Sequence, residues 1–156
     1  MGSAFCGFVT KAGGKWQIEP RVDNVTRLKP DIDTKYDSLL TSELVELSII
    51  HTSAPSHINT MISTQLHSRE IVKHAKYDAY SILLHKTLKS FCLTTYGVFS
   101  KEAHEAIYNI ANRAKRQNLI TSTHSFSRSI YNELLVALHR GNAQVLINGE
   151  EAIRGL

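Results

Sequence analysis

Leu44-Val45-Glu46-Leu47-Ser48-Ile49-Ile50 is the stretch on which the fold of this chain turns. Branched side chains dominate it and both alternating faces are largely apolar, the pattern of a strand covered on both sides near the centre of a sheet. Alternation puts Leu44, Glu46, Ser48 and Ile50 on one face and Val45, Leu47 and Ile49 on the other. Glu46 is the anomaly. A carboxylate in such a strand is costly unless it faces a cleft, a cation or a metal ion.

Upstream of this strand, residues 15–19 alternate and stop at Pro20, which reads as a strand followed by a turn. Residues 28–34 read as a second strand. Pro30 removes a ladder donor there, so that strand lies at an edge or carries a bulge.

Downstream, 52–65 is a polar connection with some helix near its end. A long helix is expected over about 65–89, with Val72, Ala75, Ala79, Ile82 and Leu83 as its apolar face. Residues 91–96 resemble another buried strand, closed by Gly97. Ser100 is placed to cap a helix to about Gln117, with Glu102 in its first turn and Arg113, Lys115 and Arg116 in its last. A final helix spans about 124–139 with Phe126, Ile130, Leu134, Leu135 and Leu138 as core stripe, and Gly141 either ends or loosens it. A strand, long helix, strand crossover makes the last two strands parallel. The expected fold class is α/β (α+β): a mixed four-stranded sheet flanked by helices, with two extra C-terminal helices. It forms one domain with a core over about 15–147 and tails at 1–14 and 148–156.

Composition is consistent with this. The chain has 156 residues, 42% of them hydrophobic, enough for one packed core and against global disorder. No apolar run approaches a membrane span, and the N-terminus lacks the basic and apolar segments of a secretory signal, so an intracellular protein (nuclear or cytoplasmic) is expected. Two cysteines, Cys6 and Cys92, exclude a disulfide framework and a zinc-cysteine site. Charge is segregated: residues 1–60 are net −1, residues 61–140 net +6 and the remainder net −1. An acidic first part beside a basic middle suits carboxylates for metal and cations for phosphate.

The chemistry gathers around Lys29-Pro30-Asp31 and Glu46. Two carboxylates from neighbouring strands converge readily on one hard cation, and Mg2+ (or Mn2+) is satisfied by a pair of carboxylates plus water and substrate phosphate. Asp33 shares Asp31's face and is an alternative ligand. A cation is also needed to stabilise a phosphodiester transition state. The strand position two residues after Glu46 is Ser48, where it cannot supply one. The next helix instead places Lys73, Lys76 and Tyr77 on one face by three- and four-residue spacing.

In this order the pattern resembles the PD-(D/E)xK, restriction-endonuclease-like domain that follows the reverse transcriptase in site-specific non-LTR retrotransposons and related elements. The likeness extends over residues 19–147, through Ser48–Ser56, Phe91–Gly97 and Ala137–Ala143. The resemblance implies a DNA endonuclease whose nick primes reverse transcription. It assigns Asp31 and Glu46 to metal and catalysis, Lys73 as the catalytic cation, and Lys76, Tyr77, Asp33 and Ser48 as supporting residues. Contacts to DNA fall to Lys29, Arg69, Lys86, Arg113, Lys115 and Arg116, with a reverse transcriptase domain or element RNA as further partners. Three departures stand out. Glu46 occupies a position where Asp is commoner, Thr94 replaces an acidic residue, and no first helix is evident ahead of the strands.

Two other readings compete. One is a module that kept the fold and grips DNA without cutting it; the other is an α/β interaction domain whose carboxylates are structural. The eight histidines show no zinc-hydrolase spacing, and His57-Ile58-Asn59 lacks a second histidine at metal-binding distance. Cys92, in an apolar strand, reads as core.

Overall fold

The computed structural model describes residues 1–18, 30–36 and 39–154. Eight elements follow in order: α1 (Gly2–Lys11), β1 (Gly14–Ile18), β2 (Ile32–Tyr36), β3 (Leu39–Ile50), α2 (Ile62–Leu83), β4 (Thr87–Thr94), α3 (Lys101–Arg116) and α4 (Thr123–Arg154). The four strands form one mixed sheet in the order β1-β2-β3-β4. β1 and β2 pair antiparallel, as do β2 and β3, whereas β3 and β4 run parallel with Glu46 opposite Ser90 and Ser48 opposite Cys92. The crossover through α2 thus gives the parallel pair expected from the sequence, and β3 lies inside the sheet.

Helices cover both faces. On one, α1, α3 and α4 bury Phe5, Phe8, Ile107, Ile130, Leu134 and Leu138 against Val45, Phe91 and Leu93. Phe5 meets Phe91 edge-on with ring centroids 5.2 Å apart. On the other face α2 packs Tyr77 and Tyr80 against Leu44 and Leu88, and Leu66 against Ile50 and Cys92. Cys92 is core, as its apolar strand suggested.

Several expectations need correction. Residues 1–14 are no tail: α1 buries Phe5, Cys6, Phe8 and Val9, and Gly13, at φ 74°, turns the chain directly into β1. Residues 148–154 likewise continue α4, which runs 32 residues straight through Gly141. The long helix ends at Leu83 rather than near residue 89. His85 takes the left-handed conformation at φ 53°, and the chain enters β4 because Leu88 is wanted beneath Tyr77 and Tyr80.

The apolar stripe assigned to α2 faces outward, with Val72 54%, Ile82 72% and Leu83 70% exposed. Its buried face consists of Gln65, Leu66, Glu70, Tyr77, Tyr80 and Ser81. The physical reason lies in the sheet. β3 offers Glu46 and Ser48 to this side, so α2 turns polar side chains toward polar partners. α3 forms where Ser100 predicted it, with the Ser100 hydroxyl accepting from the Ala103 amide.

Candidate functional site

Glu46 is 1% exposed and sits at the middle of the α2-facing side of β3. Its two oxygens are engaged by different elements. The Asp31 amide donates to Oε1 at 3.2 Å, and Lys73 Nζ donates to Oε2 at 2.7 Å. The Asp31 carboxylate in turn accepts from the Leu47 amide at 2.7 Å. Asp31, just ahead of β2, and Glu46, at the centre of β3, are thereby held side by side, Glu46 by the Asp31 amide and Asp31 by the amide of Leu47.

Burial pushes the Glu46 carboxyl above the ordinary carboxylate range. The hydrogen bond from Lys73 opposes that shift and the neighbouring Asp31 charge adds to it, while the Tyr77 hydroxyl also hydrogen-bonds to Glu46. Lys76 is held above its ordinary value by its hydrogen bond to Tyr77, with the charges of Glu46 and Asp31 contributing further. Both lysines lie over the Tyr77 ring, Lys73 at 5.9 Å and Lys76 at 4.7 Å from its centroid. Lys73 is largely buried on the ion pair, whereas Lys76 is exposed at the rim. The helix therefore brings Lys73, Lys76 and Tyr77 to the carboxylates, as their spacing suggested.

Ser48, at the strand position lacking a lysine, accepts from Arg69 Nε at 2.7 Å. Among the described residues, a single helical edge (Arg69, Lys73, Lys76) thus brings the cations to the site. Arg69 was expected only as a DNA contact. Its tie to Ser48 was missed because nothing local in the sequence joins residues 21 positions apart.

The remaining expected residues divide sharply. Asp33 is no spare ligand: it is buried, paired with Lys86 and hydrogen-bonded by the Ser42 hydroxyl. Lys86 is correspondingly spent inside the fold. Arg113 is also structural. It forms a bidentate pair with Glu43, at 3.1 and 2.8 Å, over the Tyr36 ring at 4.2 Å. Lys115 donates to the Thr121 carbonyl, and it and Arg116 are exposed at the end of α3, on the opposite face of the sheet. Lys29 lies outside the described residues.

Sequence reading also overlooked a second polar network beside the site. Glu102 accepts from the Ser90 amide at 2.9 Å and from the His74 ring at 2.7 Å, while its own amide donates to Glu70 at 3.1 Å. His74 reaches Asp78 as well, at 2.7 Å. Burial draws the His74 pKa down, but the hydrogen bonds and charges of Asp78 and Glu102 outweigh it and leave the ring above its ordinary value. Glu102 was recognisable only as a first-turn carboxylate of α3; its reach to β4 depends on how α3 docks.

Among the described residues no group of three or more His, Cys, Asp or Glu side chains forms a metal cluster. The donor set is a carboxylate pair. Each carboxylate oxygen has two acceptor positions, and the hydrogen bonds to Asp31 and Glu46 leave some of them open. Such a pair does not fit tetrahedral zinc. It does fit a hard divalent ion that keeps much of its water and takes further oxygens from a phosphate. No protein-family model and no curated protein matches the sequence, so the geometry and the residues that form it carry the functional reading.

Proposed function

We propose that this chain is a divalent-metal-dependent DNA endonuclease domain of the PD-(D/E)xK type, acting in a retroelement to nick target DNA for target-primed reverse transcription. The observation that carries this reading is Glu46: buried within an apolar sheet, joined on one oxygen to Asp31 and on the other to Lys73. The α/β layering, with a mixed four-stranded sheet between helices, is consistent with it. The retroelement role rests on the sequence resemblance alone.

In this reading Asp31 and Glu46 would hold Mg2+ or Mn2+, and the chemistry supplied by such an ion would be activation of a water and neutralisation of charge on the phosphodiester. Lys73 orients Glu46 and favours its ionised form, opposing the burial that pushes its pKa up. Its ammonium is also the nearest cation for charge developing on the scissile phosphate. Lys76 and Arg69 flank it on the helix and attract the phosphate backbone. Tyr77 fixes the geometry by bonding Glu46 and carrying both lysines on its ring. Catalysis here is mostly positioning and electrostatics.

One observation favours a second reading, a DNA-binding module without turnover. Lys73 already neutralises Glu46, and no third acidic ligand joins the pair among the described residues. Supercoiled plasmid incubated with Mg2+ or Mn2+, with EDTA and a Glu46→Ala variant as controls, separates the two. The endonuclease reading expects metal-dependent nicking that the variant loses. Salt-sensitive binding without nicking selects the second reading, and neither activity removes both.

A further inference from the structure

Beyond Ser48, β3 leads into a cleft that the carboxylate site does not use. Its volume is about 540 Å3, within the roughly 300–1,000 Å3 range of small-ligand sites. Ile50 and His51 contribute the strand side, His57 the loop side, and Ser68, Arg69 and Val72 the helix side. Half-exposed Val72 and, at the floor, Ile50 on the α2-facing side of β3 provide apolar contact for a flat ring. Among the described residues, hydroxyl and imidazole groups line the edges, no carboxylate does, and Arg69 is the permanently charged residue of the lining.

Two residues organise this cleft. Arg69, tied through Nε to Ser48, stands at the boundary between the cleft and the carboxylate pair. Ser48 is two residues along β3 from Glu46, about 7 Å at ~3.3 Å per residue. Gln65 anchors the loop side, its Nε2 donating to the carbonyls of His57 at 3.0 Å and Thr60 at 2.7 Å. Its other amide atom, Oε1, is buried without a donor. That acceptor is the kind of group that an N–H entering the cleft would satisfy.

We propose that this cleft receives a single unpaired nucleobase, with the adjoining phosphate on Arg69 beside Asp31 and Glu46. The assignment rests on the nuclease reading and narrows its substrate to one nucleotide at the cleft, whose volume of about 540 Å3 has room for a single base with its sugar. Extruding a base costs stacking, least where it is mismatched or already single-stranded. The favoured substrate is therefore DNA with an unpaired base next to the nick, and base identity at that position is read by the cleft edges.

The test uses the intact chain in EDTA, so that binding is read apart from cleavage. 15N-labelled protein is titrated with dAMP, dCMP, dGMP and dTMP, and with 2-deoxyribose 5-phosphate as the base-free control. Saturable shifts should concentrate on Ile50, His51, His57, Gln65 and Arg69. The control should bind roughly tenfold more weakly, the size of one stacked base. Val72→Ser, at an exposed helix position, should weaken the nucleotides but not the control, whereas Arg69→Ala should weaken both. Equal binding of control and nucleotides, shifts elsewhere, or no binding overturns the proposal. Plasmid nicking run in parallel keeps the two claims apart. Nicking without cleft shifts removes the cleft assignment alone, while cleft shifts without nicking retain the base site and remove the endonuclease reading.

Discussion

The two faces of the sheet are built on opposite terms. Toward α1, α3 and α4 the strands present Ile32, Val45, Phe91 and Leu93, and the helices answer with Phe5, Phe8, Ile107, Ile130 and Leu134. Toward α2 they present Asp33, Glu46, Ser48 and Ser90, and the helix answers with Arg69, Glu70, Lys73 and Tyr77. Burial of apolar area stabilises the first face; the second holds ionised groups whose desolvation offsets much of their mutual attraction. The first face is where stability is concentrated, and the second is where stability is given up for a preorganised arrangement of charge.

Substitutions on each face test that division. Phe8→Ala, in the fully buried cluster under α4, should lower unfolding free energy by about 3–5 kcal/mol in denaturant titration. A loss under ~1 kcal/mol would mean that α1 contributes little to the core. Glu46→Gln is the matched change on the other face. It keeps an acceptor for the Asp31 amide but leaves the largely buried Lys73 ammonium without its counter-charge, so unfolding free energy should fall by about 1–3 kcal/mol, less than for Phe8→Ala. On the proposed function it should also cut metal-dependent nicking by roughly 10²–10³. A large stability loss with nicking intact would show Glu46 to be a structural partner of Lys73.

A smaller effect is expected from pH. The His74 pKa is raised in the folded chain, so the stability this gives is fully present below the ordinary value of 6.5 and is lost as pH rises through the higher folded value. Melting temperature should therefore fall across that window, and His74→Asn should flatten the fall. Glu46, also raised, acts with the same sign but starts from its ordinary value of 4.5, so the difference between parent and variant isolates His74. A parent and variant with parallel profiles would contradict the Asp78–His74–Glu102 bridge. The smallest change is Gly141→Ala within α4. A Cβ there meets nothing within 4 Å, and removing a mid-helix glycine should raise stability by about 0.5–1 kcal/mol. No gain would indicate that the helix is already interrupted at that point.

Much of this was legible in the chain itself. Local patterns with a single physical cause were read correctly: β3 from its branched residues, α3 from its Ser100 cap, the α4 stripe of Ile130, Leu134 and Leu138, and the parallel β3–β4 pair from the crossover rule. The convergence of Asp31, Glu46 and Lys73 was also legible, because Glu46 is out of place in its strand unless a partner comes to it. Helix α1 was missed because Gly2, Ser3 and Gly7 dilute the pattern of Phe5, Phe8 and Val9, which becomes apolar periodicity only once a core is there to receive it.

The remaining features depend on which surfaces meet. Periodicity identifies an apolar stripe on α2, but helix orientation is set by the complementarity of whole faces, and a sheet face carrying Glu46 and Ser48 selects the polar side. Charge alone cannot separate Lys86 and Arg113, consumed by Asp33 and Glu43, from Lys76 and Arg116, which remain at the surface. These ion pairs join residues 53 and 70 positions apart. The sequence by itself determined the four-strand order, the helices after β3 to within their ends and the carboxylate–lysine core of the site, because those follow from local geometry and the cost of burying a lone charge. Only the tertiary structure decided which cations stay free and which side of α2 faces inward, because both depend on side chains that the sequence leaves far apart.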